Sequence, residues 1–130
     1  MKILAMRTDK PEAELYLYDG QKRLASFKWQ AHLKLAETLN TQIDKILNKS
    51  SISYDELEAV AVFKGPGSFT GLRIGMSVAN ALAYAGDMPV VARGGEDWLE
   101  RAIEDLRSGH NDRNAAPDYG AAVRITKPKK

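Results

Sequence analysis

The chain of 130 residues contains no cysteine. That absence removes disulfides, thiolate nucleophiles and cysteine-ligated metals from consideration. Its two histidines, His32 and His110, stand far apart with no metal-ligand spacing around either, so no zinc centre is expected. Long apolar runs are missing as well. None approaches the ~20 residues of a membrane-spanning helix, and the opening MKILAMR is too short for a signal-peptide core. A cytoplasmic protein with no membrane contact is the expectation. Neither sign of charge is in large excess: the formal net charge is +2, with 14 basic and 15 acidic side chains in residues 1–107 and five against two in residues 108–130. The basic tail can add sequence-independent attraction to RNA phosphates, or serve simply as a solvated end.

What is present is ordinary for a soluble fold: 44% apolar and 28% charged residues, in a length that suits one domain. Ile3-Leu4-Ala5-Met6 reads as a strand buried on both faces. Strands are expected over 13–18 and 23–29, joined by a hairpin at Asp19-Gly20, where glycine accepts the positive φ of a tight turn. Ala36, Leu39, Ile43, Ile46 and Leu47 form the apolar stripe of a helix over 33–48. Ala59-Val60-Ala61-Val62-Phe63 and Pro89-Val90-Val91-Ala92 are further apolar strands, with a helix over 69–85 between them. A last helix over 96–107 presents Leu99, Ala102, Ile103 and Leu106 on one face. After Ser108-Gly109, residues 110–117 read as a polar, mobile loop. The order βββαβαβα implies an α/β fold with a mixed five-stranded sheet covered on both faces, one lobe over 1–107 and a tail over 108–130.

The stretch KGPGSFTGLRIG, residues 64–75, admits two readings. A glycine-rich turn opening a helix offers free N–H groups and the positive end of a dipole, which suits an anion held by Gly65, Gly67, Ser68 and Thr70. The P-loop pattern fails, because Leu72 follows Gly71 where a lysine is needed, and the dinucleotide pattern GxGxxG fails on its spacing. The other reading is close packing. Gly71, Gly75, Ala79 and Ala83 recur every four residues, a row of minimal side chains that lets another backbone approach. Two helical glycines cost about 0.5 to 1 kcal/mol each, so an offsetting contact is expected. Periodicity alone leaves open whether the row meets this chain's own sheet or a helix of another subunit.

GPGSFTGLRIG, with YDELEAVAVFK before it and ALAYAGDMPVV after it, resembles the TsaB (YeaZ) family of tRNA threonylcarbamoyladenosine biosynthesis, over residues 1–106. Ala116-Pro117-Asp118-Tyr119 is similar to the proline-x-tyrosine near that family's C-terminus. The resemblance implies an actin-like/Hsp70-like (RNase H-like) lobe and a non-catalytic scaffold. That scaffold would bind a TsaD-like catalytic subunit, with a TsaE-like ATPase joining, for t6A formation at adenosine 37 of tRNAs reading ANN codons. tRNA contact would be indirect. No cofactor is required, with ATP/ADP and Mg expected only at the partner interface. Carried over, that interface would use both long helices: His32, Ala36, Leu39 and Ile43 on the first, Gly71, Leu72, Gly75, Met76, Ala79 and Ala83 on the second. The alternatives are a small ATP-binding or hydrolysing module and a stand-alone homodimer.

Two departures from the family stand out. Arg7 occupies the position of the family's first-strand aspartate, Asp9 lying two residues on, and the sequence reads as a first lobe with the second expected only as a remnant. A cation there would oppose a metal-nucleotide. No catalytic residue is assigned: Ser68 and Thr70 lack a nearby base and read as helix-start hydrogen bonders. His32 reads as a cap or interface residue, Arg73 as a surface ion pair or a contact to RNA or a partner carboxylate, and Trp98 as core or interface.

Overall fold

The computed structural model describes residues 1–117, the side chain of His32 excepted. Its strands are β1 (Lys2–Arg7), β2 (Glu12–Asp19), β3 (Lys22–Gln30), β4 (Ala59–Phe63) and β5 (Val90–Arg93), and its helices α1 (Leu35–Lys49), α2 (Phe69–Gly86) and α3 (Trp98–Arg107). One mixed sheet results, in the order β3-β2-β1-β4-β5. β1 pairs antiparallel with β2, β2 with β3, while β1–β4 and β4–β5 are parallel. The Asp19-Gly20 hairpin forms as expected, Gly20 taking a φ of 62°.

Strand alternation divides the core into two layers. Leu4, Met6, Leu15, Leu17, Val60 and Val62 meet Leu39, Ile43 and Ile46 of α1 and Met76 and Ala79 of α2. On the other face Ile3, Ala5, Ala61, Phe63 and Val91 meet Trp98, Ala102, Ile103 and Leu106 of α3. The expected sheet with helices on both faces is therefore present. Each fully buried Leu or Ile contributes roughly 1.5 to 3 kcal/mol.

Two boundaries differ from the sequence reading. α1 begins at Leu35 because His32–Lys34 form a separate 3-10 turn. α3 begins at Trp98, since Trp98 N–H donates to the Gly95 carbonyl at 3.3 Å and Gly95 holds a φ of 87°. Residues 110–115 are not the free loop their polarity implied. Asn80 and Ala115 exchange two hydrogen bonds, of 2.8 and 3.1 Å, and Asp112 N–H donates to the Val90 carbonyl at 2.8 Å. Residues 118–130, including Tyr119 and most of the basic tail, lie outside the described set.

Candidate functional site

The end of β1 and the start of α2 are fitted together through the glycines. A side chain on Gly71 would drive into the Thr8 backbone, and one on Gly75 into the Thr8 hydroxyl. That hydroxyl donates to the Gly71 carbonyl at 2.8 Å, tying strand to helix. Gly67 lies against Asp9, where a Cβ would come within 2.6 Å of the aspartate Cβ, and the Gly65 carbonyl crowds Gly94. Close approach is thus what these glycines provide.

The row Gly71, Gly75, Ala79 and Ala83 consequently faces inward, all four residues being buried. This corrects the expectation that it meets a partner helix: small side chains bring α2 down onto its own sheet. Leu72 and Met76 of α2 and Leu39 and Ile43 of α1 are core residues as well, at 4% exposure or less. Of the residues carried over as interface, only Ala36 stands exposed, and the His32 side chain lies outside the description.

The anion reading is divided in the same way. Ser68 caps α2 weakly, its oxygen 3.4 Å from Gly71 N. Ser68 and Thr70 line a cavity of about 340 Å³ with Thr8, Lys10, Leu33 and Ile74. Gly65 and Gly67 do not line it, because they are used in packing. Nearby, the Arg7 guanidinium donates to both oxygens of Asp9, at 2.7 and 3.2 Å, and stacks 3.9 Å above the Phe63 ring. Asp9's hydrogen bonds and charge raise the Arg7 pKa, burial opposing them. The Asp9 carboxylate is therefore neutralised inside the chain. Among the described residues no group of three acidic or histidine side chains is placed to hold a metal.

A different surface stands out on the outer side of α2. Its 18 residues include one charged side chain, Arg73. Exposed along it are Phe69, Thr70, Ser77, Ala81 and Tyr84, the last at 91%. A groove of about 520 Å³ runs between α2 and Ala36 of α1, lined also by Phe69, Arg73, Ile74, Ser77 and Val78. Leu33, 89% exposed, lies in the turn before α1 and lines the neighbouring 340 Å³ cavity. The sequence carried a signal for this face: a helix so poor in charge has no water-facing side of the usual kind.

A model of the TsaD family, tRNA N6-adenosine threonylcarbamoyltransferase, matches residues 30–92, which hold both α1 and α2. The biosynthesis protein TsaB of Haemophilus influenzae is 30% identical over 113 residues, 85% of this chain and 47% of that one. The tRNA N6-adenosine threonylcarbamoyltransferase of Staphylococcus carnosus is 46% identical over 55 residues, 42% of this chain and 16% of that one. In structure, YeaZ from Pseudomonas aeruginosa superposes with a TM-score of 0.69 at 26% identity, over 82% of this chain and 50% of that chain. The chain spans about half the length of the TsaB and YeaZ relatives it matches.

Proposed function

Because the chain belongs, over the part it spans, to the TsaB (YeaZ) family, we propose that it is a non-catalytic scaffold in t6A formation on tRNA. It docks on a TsaD-like threonylcarbamoyltransferase through the outer faces of α1 and α2. The observation that carries this reading is the α2 surface, an exposed helix side with Arg73 as its one charge beside an apolar groove. An interface core is depleted in charge and enriched in aromatic residues and arginine, which describes Phe69, Tyr84 and Arg73. The TsaD match over residues 30–92 supports it further, since a partner with this helix pair offers a like surface. The reaction chemistry, tRNA contacts and any nucleotide are assigned to the partner and a TsaE-like ATPase, in the cytoplasm.

Light scattering of the chain mixed with its TsaD-like subunit tests the proposal. A one-to-one complex is expected, and Ser77→Arg on the exposed face should abolish it. No complex, or one indifferent to Ser77→Arg, overturns the interface. Gly75 is unsuited to this test because it belongs to the core.

The 340 Å³ cavity at the start of α2 favours one rival, an ATP-binding module using Ser68, Thr70 and Lys10. Calorimetry with ATP and magnesium decides, and absence of heat removes the rival.

A further inference from the structure

Among the described residues β5 is an edge strand of four residues, paired with β4 alone. The edge of a sheet presents a row of N–H and C=O groups that any extended backbone can pair with. Here three of those groups are taken by Asn111 and Asp112, which form no strand, and the fourth by the side chain of Arg93, the last residue of β5. Val90 N–H donates to the Asn111 side-chain oxygen at 3.2 Å, and the Val90 carbonyl accepts from Asp112 N–H at 2.8 Å. Ala92 N–H donates to Asp112 Oδ2 at 2.9 Å, and the Ala92 carbonyl accepts from the Arg93 guanidinium at 2.7 Å. Every hydrogen-bonding group that Val90 and Ala92 turn to the edge is satisfied, three of the four by side chains.

The cover is fastened on both sides. Arg93 bridges Asp105 of α3 and Asp112, at 2.7 and 2.8 Å. His110 N–H donates to the Asp105 carbonyl at 2.9 Å, while the far end is pinned by the Asn80 and Ala115 pair, Ala115 being 3% exposed. Side chains of an Asn and an Asp thus stand in for the backbone of a sixth strand.

We propose that residues 110–115 are an edge guard, and that the strand-pairing site they close accepts β5 of a second copy of this chain. The occupant follows from β5 itself. Val90, Val91 and Ala92 carry no charge, are buried on both faces of the sheet and include two β-branched residues. No side chain at these three positions discourages edge pairing, so among the described residues the guard does, with Arg93 capping the Ala92 carbonyl. Two identical edges satisfy each other when related by a two-fold axis, which makes the second copy a complete partner.

The test uses the full chain with Asn111→Ala and Asp112→Ala together. Amide exchange at Val90 and Ala92 should accelerate by about 10-fold or more while β1 and β2 keep their protection. Light scattering should show a concentration-dependent rise in mass over the parent, reversed by adding Ala92→Pro, which removes an edge-facing N–H. If the double variant loses β1 and β2 protection too, Asp112→Leu alone carries the same readouts. Unchanged exchange at Val90 and Ala92 overturns the guard. Faster exchange with a mass equal to the parent's, or a rise that Ala92→Pro leaves intact, overturns the strand-pairing site.

Discussion

α2 and α3 cover opposite faces of one sheet and do so by opposite means. α3 buries by size: Trp98, 4% exposed, sits edge-on to Phe63 and Tyr16 with ring centroids 5.7 and 6.4 Å away. α2 buries by closeness, setting Gly71 and Gly75 against Thr8. Their outer sides differ as well. α3 carries five charged residues in ten, three of them in local ion pairs, Arg101 with Asp97 at the helix start and Arg107 with Glu104. α2 carries one in 18. A charged outer side settles α3 against water, whereas the α2 surface is suited to a second protein.

The comparison breaks first at Trp98. Trp98→Ala should cost about 3 to 5 kcal/mol in denaturant unfolding, because no neighbouring group fills the space left by two rings' worth of contact. Gly75→Leu comes next, at about 1 to 3 kcal/mol, through overpacking against Thr8. Equal stability of that variant and the parent would show that α2 does not rest on closeness. Ser77→Arg, half a turn away on the outer side, should alter stability by no more than about 0.5 kcal/mol in the same experiment. A large loss there would mean that the outer side is already covered within the chain.

The smallest effect concerns pH. The Arg93 hydrogen bond holds the Asp105 carboxyl below its ordinary value, burial opposing it. A depressed folded pKa contributes stability that is present above the ordinary carboxylate range and declines as pH falls through the folded value. Arg93→Gln should flatten that acid limb, and unfolding midpoints measured from pH 6 to 3 would reveal it.

Much of the architecture was legible. The apolar runs of β1, β4 and β5 and the hairpin glycine are local signals, and the structure keeps each. The direction of the small-residue row was not. Periodicity fixes which residues share a helix face but not which way that face turns, and glycine suits a strand end and a partner helix equally. Arg7 followed the same limit: its partners Asp9 and Phe63 lie two and 56 positions away, and only the fold brings Phe63 beneath it. The edge guard was read as loop because Asn and Asp favour turns, and their use as stand-ins for strand backbone depends on β5 being at the edge.

β1 lies at the centre of the sheet between neighbours of unlike origin. Met6 pairs with Leu15 nine positions on, whereas Ile3 pairs with Ala59 across 56. Ring closure costs more as the loop lengthens, about 0.6 kcal/mol per doubling, so the three-stranded meander can assemble early while the parallel half waits for α1 to bring β4 alongside. The β1–β4 seam is accordingly the costlier of the two closures that β1 makes, and the glycines that seat α2 on Thr8 lie at its end.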